Sequence, residues 1–504
     1  MSVSNLPRLR LFVSGEPLGA ASLHALSELR ILARLSRSTT CELFFVDPPA
    51  ELVDRDLSIG LGLSIDTDSV APHLFAGEIT ALEHVYDPAG SLRVRVRAQD
   101  RLHRLAKRQP VRVHRELSLG DLVRDLVAED DCAVENLGTD PYYPRLFQYR
   151  QTDFDLLREV TEKAGSYFTL DGDTLRLVGA DGVGAAREIQ LGAELLEASF
   201  ESRSELACRT ARTSGWSTSG AEERKGFATE ARIGRTADAE FPADLFGADA
   251  EWRLVDERLD DAQQADALAQ AELDYRSSQE LIFRGVLDGT PTIRPGDRVS
   301  VQGVAKSLVG EYLVGEVTHS IDPDRGFLTA ITSELPPRWQ RPWGASSALG
   351  VVVDVDDPDE RGRVRVRFPT YDDLESDWLP VVVPGAGRGK GVFAPSDVDD
   401  KVLVLFPRQD MAQGVVLGGL YGVESAPGET CRGGVQRYFT GTRGQQQFVL
   451  DDEHRSVVLQ NSEGSRMSLS PGKVLIEATT DIEISAPGKT ITIAASLVHF
   501  RKRD

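Results

Sequence analysis

The chain has 504 residues and a mass of 55.1 kDa, with 57 basic against 79 acidic side chains and a formal net charge of −22. That balance disfavours nucleic acid or an anionic membrane as the main partner, since both need phosphate neutralised by Lys and Arg. Apolar residues at 41% exclude a disordered chain, and no apolar run approaches the roughly 20 residues of a membrane span.

Met1–Pro17 lacks the apolar core and cleavage site of a secretory signal, so export by the general route is not expected. Residues 1–112 read as strands, among them Leu9–Val13, Cys41–Val46 and the strictly alternating Leu92–Arg97. Two helices follow. Ser118 and Asp121 form a capping-box-like start for Leu119, Leu122, Val123, Leu126 and Val127. Thr152 and Asp155 start the second, with Phe154, Leu157 and Val160 on one face and Gly165 as its stop. Between them Tyr142, Tyr143, Phe147 and Tyr149 read as a loop punctuated by Pro141 and Pro144.

Tyr167–Leu170 and Leu175–Val178 form a hairpin around Asp171-Gly172-Asp173. Residues 213–248 read as a surface insertion with little β pattern, and 254–276 as the longest helix. Strands resume over 281–333 around the turn Arg294–Asp297, and Leu335–Gly344 is a proline-rich linker. Five strands are expected in 349–422: Val351–Val353, Val364–Phe368, Trp378–Val383, Lys401–Phe406 and Gly414–Gly418, a small OB-type barrel. Trp378, Phe393 and Phe406 are its core candidates. Cys41, Cys132, Cys208 and Cys431 lie far apart without a CxxC and read as buried free thiols.

The last part, 444–495, repeats. Short apolar runs start at Phe448, Val457, Arg466, Val474, Ile482 and Ile491, and Gly464, Gly472 and Gly488 share an eight-residue register. Each run is too narrow to bury its own apolar side, which predicts stacking or winding with other chains.

These two final parts, in this order, resemble the valine-glycine repeat spike proteins (VgrG) of contractile injection machines and the hub-and-spike proteins of contractile phage tails. The resemblance extends forward through TDFDLLREVTEKAGSYFTLDGDTLRLV (152–178), PGDRVSVQG (295–303) and VGEYLVGEVTHSID (309–322), and includes WLPVVVPGAGRGKGVFAPSDVDDKVLVLFPRQDMAQGVVLGGLYG (378–422). It implies a mainly β fold with a few helices: a hub of two β-barrel domains with helical insertions, an OB-fold barrel, and a C-terminal intertwined trimeric β-helix. The implied domains are 1–112 and 167–345 for the hub barrels (the second with an insertion at 213–280), 113–166 helical, 346–424 the OB-fold, 425–445 a neck, and 446–504 the needle and tip. The chain departs from the family in its few, degenerate glycine octads and in lacking a lysozyme-like unit between OB-fold and repeat. Those departures resemble the spike of a phage-derived extracellular or cytoplasmic injection system.

Catalytic chemistry is sparse. Gly385–Gly391 lacks the spacing and the Ser or Thr of a phosphate loop, and Gly215–Ser219 misses the last glycine of a nucleophile elbow, so both read as loops. Asp354–Glu360 resembles a calcium loop, but Arg365 stands where its glutamate belongs; it reads as a hairpin turn. The acidic turns around the barrel would repel phosphate, against single-strand binding. The resemblance implies no enzyme and no cofactor, and names as partners two further copies of the chain, an inner-tube ring, baseplate proteins, a PAAR-like tip protein and effector cargo. Assembly is expected in the bacterial cytoplasm, without stable membrane insertion before firing, in a particle either released or membrane-anchored. A tail-associated peptidoglycan hydrolase, a type VI spike carrying effectors and a carbohydrate-binding tail protein are the rival readings.

The expected trimer core is Val458, Met467, Leu469, Val474, Ile476, Ile482, Ile484, Ile491 and Ile493. The expected cap interface is Leu497, Val498, Phe500, Arg501, Lys502 and Arg503, and His499, present three times at a trimer tip, is the one metal candidate.

Overall fold

Strand Leu92–Gln99 buries Val94, Val96 and Ala98 and turns Arg93, Arg95 and Arg97 to the opposite face, as its alternation predicts. Arg95 and Arg97 meet Glu42 of the neighbouring strand Thr40–Val46 at 2.7 and 3.3 Å. The computed structural model describes residues 8–67, 70–217, 222–237, 250–259, 262–338, 344–421 and 436–501. They fall into two units, Met1–Gly418 and Gly419–Asp504.

The frame of the first unit is an 11-stranded sheet. Its order is Leu195–Ser202, Leu281–Asp288, Gly326–Thr332, Glu316–Asp322, Leu26–Arg34, Thr40–Val46, Leu92–Gln99, Val70–Tyr86, Gly62–Thr67, Leu9–Val13 and Glu16–Pro17. Two distant stretches of sequence join where Leu26–Arg34 pairs antiparallel with Glu316–Asp322. One core lies under each half: Leu29, Ile31, Leu43, Phe45 and Val96 in one, Phe283, Val299, Tyr312 and Ile331 in the other. The two barrels expected from the sequence therefore share one continuous sheet.

Both helices of the middle segment form where their caps place them. Asp121 N–H donates to Ser118 Oγ (3.2 Å) at the start of Leu119–Val127. At Asp153–Lys163 the box is reciprocal, Asp155 N–H to Thr152 Oγ1 (3.1 Å) and Thr152 N–H to Asp155 Oδ2 (3.0 Å). They pack with the hairpin Ser166–Asp171/Thr174–Gly179 into a core of Leu122, Leu126, Leu157, Val160 and Phe168.

Several expectations are corrected. The aromatic stretch is no loop: Tyr142–Gln148 is a strand, antiparallel to Arg112–Ser118. Pro144 fits because the sheet has only two strands and Pro144 lies between the paired residues Tyr143 and Arg145. The supposed insertion carries a three-stranded sheet, Glu222–Ala228, Thr210–Ser217 and Glu251–Arg258, so Gly215 and Ser217 are strand residues. The long helix runs Ala262–Ser278, starting eight residues later than its apolar pattern suggested, because 254–258 belong to that sheet. Ala265 and Ala269 let it lie almost on the strand: a side chain at Gly226 would collide with the Ala265 carbonyl at 2.1 Å. The linker is pinned at its start. Leu335 is buried, the Pro337 carbonyl accepts from Arg158 (2.6 Å) and Arg338 bonds the Ala271 carbonyl (2.6 Å). Trp343 and residues 238–249 lie outside the described residues, as does Cys431; Cys41 and Cys208 are buried and Cys132 is half-buried.

The OB-like sheet is ordered Leu374–Glu375, Arg365–Phe368, Ser346–Asp354, Lys401–Phe406, Val415–Gly419. Trp378–Val383 contributes only isolated bridges, Leu379 to Val364 and Val381 to Val416. Phe406 is fully buried, Trp378 is half-buried, and Phe393, expected in the core, is 64% exposed. This domain does not close its core alone. Phe147, Val111, Val113 and Tyr149 of the preceding strand pair pack into it with Val366, Phe368 and Tyr371. Tyr149 meets Tyr371 edge-on at 5.6 Å, Arg150 lies 5.8 Å over the Tyr371 ring, and Arg145 pairs with Asp377.

Candidate functional site

The second unit is a five-stranded antiparallel meander, Arg437–Gly441, Gln447–Asp451, Ser456–Gln460, Arg466–Ser470 and Lys473–Glu477. Its first strand falls in the segment expected to be a neck. Turns at Asn461–Ser465 and Ala486–Lys489 put Gly464 and Gly488 at φ of 88° and 70°, the left-handed region glycine adopts without a Cβ clash. The repeat register of those glycines is therefore a turn register.

Directly paired residues share a face, so the ladder decides which side chains stand together. Phe448 opposes Leu459, Leu459 opposes Met467, and Met467 opposes Ile476; Leu450, Val457, Leu469 and Val474 form the parallel row. Every strand from Gln447 to Glu477 thus gives two side chains to this face, and all eight are apolar. The other face carries one central residue per strand, Val449, Val458, Ser468 and Leu475, bracketed by Gln447 and Asp451, Ser456 and Gln460, Arg466 and Ser470, Lys473 and Glu477. The apolar face lies open, with Ile476 63% exposed.

Of the nine residues expected at a trimer core, Met467, Leu469, Val474 and Ile476 lie on this face. Val458 does not: its partners Val449 and Ser468 put it on the polar side. Phe448, Leu450, Val457 and Leu459 belong to the face and were missed. Three consecutive apolar residues, as in Phe448-Val449-Leu450, do not reveal which side faces inward; the flanking Gln447 and Asp451 were the available signal. The runs at Ile482–Ile484 and Ile491–Ile493 form no strand within the chain, since among the described residues nothing pairs with them. All four isoleucines are exposed, as are Leu497, Val498, His499 and Arg501, and Phe500 is 90% exposed. Lys502 and Arg503 lie outside the described residues.

At the root of the meander Asp451 accepts from His454 N–H (2.9 Å) and from Arg437 Nη2 (2.6 Å), which hold its pKa at about 2. The motifs weighed for other chemistry prove structural. Gly385–Gly387 and Lys390–Val392 form a two-stranded ribbon, not an irregular loop. In the calcium-like turn, Arg363 occupies both Asp357 oxygens at 2.6 and 3.0 Å, so the carboxylate is committed to the hairpin and its pKa falls below the usual range. Among the described residues no group of three or more His, Cys, Asp or Glu is placed to hold a metal, and no helix is long and apolar enough to cross a membrane.

A continuous curled sheet, a helical segment whose strand pair packs into an OB-like domain, and a terminal meander with one apolar face define a baseplate hub with a spike. Residues 27–324 match the phage tail baseplate hub (GPD) family, and residues 348–421 match the type VI secretion system/phage-baseplate injector OB domain. The chain belongs to the phage tail baseplate hub family and is a VgrG-like structural protein. A search of curated proteins found no match. Among solved structures, the Escherichia coli c3393 protein, described as a type VI secretion component with structural similarity to the T4 tail proteins gp27 and gp5, is 14% identical over 82% of this chain and 99% of its own, with a TM-score of 0.54. The Francisella PdpA–VgrG complex in its lidded form is 10% identical over 94% and 80%, with a TM-score of 0.55. The 43 kDa tail protein of prophage MuSo2 from Shewanella oneidensis is 16% identical over 64% and 97%, with a TM-score of 0.51. At these identities the likeness is one of fold.

Proposed function

We propose that the chain is the non-enzymatic, homotrimeric central spike of a contractile injection machine. The observation that carries this reading is the apolar face of the last four strands of the second unit, two side chains per strand without a polar residue among them, to which the first strand adds Tyr438 and Thr440. Covering it at roughly 25 cal/mol per Å² gives three chains a reason to wind about one axis. The runs at Ile482 and Ile491, unpaired within one chain, then become strands by pairing with neighbouring copies. In this reading 1–112 and 167–345 supply two hub barrels per chain, six per trimer, matching a hexameric inner tube. Segment 113–166 braces them, 346–424 is the OB collar, 425–445 the neck, and 446–504 the puncturing needle. Baseplate proteins dock around the hub, a PAAR-like protein caps Leu497–Phe500, and cargo is delivered on sheath contraction. The degenerate glycine octads, and a stretch 425–445 too short to hold a lysozyme-like unit between OB-fold and repeat, favour a phage-derived particle assembled in the bacterial cytoplasm over an effector-bearing type VI spike. Sedimentation of the purified chain tests the core of the reading. A species of three times 55.1 kDa is expected, and a stable 55.1 kDa monomer at micromolar concentration refutes it.

A further inference from the structure

Over three of its strands the OB-like sheet is apolar on its inner face and largely apolar on its outer face, where Ser347 pairs with Leu405 and Lys401 with Val351. Its inner face, Val352, Val402, Val404, Phe406 and Val416, is the core already described. Alternation puts Leu349, Val351, Leu403, Leu405, Val415 and Leu417 on the outside, with Leu349 directly paired to Leu403. Leu349 is 57% exposed and Leu417 is exposed as well. One strand away the outer face becomes polar: Arg365 bonds Glu375 at 2.9 Å and Arg367 bonds Asp373 at 3.3 Å. Strands with apolar residues on both sides are the pattern of a sheet covered on both faces, and a contiguous exposed patch of this kind marks an interaction surface.

The same domain carries an element with the opposite shape. Between Val382 and Val398 the chain runs out as the ribbon Gly385–Gly387/Lys390–Val392, whose strands are glycine and alanine apart from Lys390 and Val392 and pair only with each other. Apolar side chains sit at its edges and base, Val382, Val392, Phe393 and Val398, all exposed. Phe393 lies over Gly362, where an added Cβ would come within 2.5 Å of its ring, and remains open to solvent. A thin ribbon gives up little side-chain entropy on docking and brings its backbone close to whatever it crosses.

We infer that the ribbon of one copy clasps the apolar outer face of the next copy's OB-like domain. Arm and receiving face are different patches of one domain, so the contact is head-to-tail and needs no third protein. Such a contact closes into a ring when the rotation per copy is a whole fraction of a turn. The inference rests on the trimer reading, which sets that rotation at a third of a turn, and adds to it a second belt of contacts outside the terminal meander. The occupant is a second copy of this chain because the domain exposes two apolar surfaces of complementary form, a projecting edge and a flat sheet.

The test uses the full-length chain with a benzophenone amino acid in place of Phe393, mixed as heavy- and light-isotope forms before assembly. After illumination, mixed heavy–light adducts to peptides holding Leu349, Leu403 or Leu417 are expected. Leu349→Asp, a substitution at an already exposed position, should cut their yield about tenfold by desolvating a charge under the arm. A sedimenting trimer that gives no such adducts, or only same-chain ones, overturns the clasp and leaves the trimer reading standing. A monomer overturns both.

Discussion

Both units are built on antiparallel β-strands that carry apolar side chains, and they end in opposite states. All six hydrophobic clusters of the described chain lie in the first unit, where strands, helices and the OB-like domain cover one another. In the second, the only buried residue among those described is a carboxylate, Asp451. The strands of the meander pair in sequence, yet among the described residues none buries its apolar face. Hydrogen bonding within a chain therefore does not distinguish a finished fold from a fragment of an assembly; the destination of the apolar side chains does.

The largest expected effect breaks the contrast at its open side. Ile476→Asp puts a carboxylate on the apolar face, at the end of the row Phe448, Leu459, Met467 and Ile476, and in a trimer three of them meet near one axis. Like-charge repulsion and desolvation each cost several kcal/mol there. Sedimentation should show the trimer replaced by monomer, while the thermal transition of the first unit stays within a degree or two, since Ile476 touches none of its clusters.

Next comes the joint that makes the first unit one body. Phe147→Ala removes the hub side chain from the OB-like core and should destabilise the unit by about 3–5 kcal/mol, read from urea unfolding. The bounds expected from the sequence would let a hub fragment 1–345 be cut away from the OB-fold at 346–424. With Phe147 and Tyr149 seated in the OB-like core, that fragment should bind a hydrophobic dye that a fragment 1–421 does not.

A third effect separates the units by pH. His319 is buried against Thr329 (3.0 Å) and the Phe327 ring (5.8 Å), and burial, assisted by Arg294, lowers its pKa to about 3. The unfolded chain binds this proton below about pH 6.5 and the folded chain only near 3, so stability falls as pH drops through that window. The loss is on the order of a few kcal/mol and belongs to the first unit. His319→Gln should shrink the difference between urea midpoints at pH 7 and pH 4.

How much of this was legible follows the same divide. Strict alternation in Leu92–Gln99, the caps at Ser118 and Thr152 and the Asp171–Asp173 turn are local signals, and each placed its element. The strand at Tyr142–Gln148 was hidden by its prolines, because only the two-stranded pairing with Arg112–Ser118 makes Pro144 tolerable. The sheet over 210–258 was hidden by small and polar residues that the alanine-rich helix requires for its close approach. In the meander the repeat was visible but the face was not, since runs of three apolar residues fit either side.

The smallest predicted effect tests that last point. Val458 and Leu459 are adjacent, both apolar and both within the strand Ser456–Gln460, and composition does not distinguish them. The register does: Leu459 stands between Phe448 and Met467, whereas Val458 stands between Val449 and Ser468, flanked by Ser456 and Gln460. If the apolar face is the one that meets other copies, Leu459→Ser removes buried area at three equivalent places, at about 2 kcal/mol per chain. Val458→Ser falls on the side flanked by polar residues, which this reading turns away from the other copies, and should cost only a few tenths of a kcal/mol. Dilution series followed by light scattering should therefore find the dissociation midpoint of Leu459→Ser at markedly higher concentration than that of Val458→Ser. Equal midpoints would mean that both faces are covered in the assembly; a reversed order would mean that the polar-flanked face points to the axis.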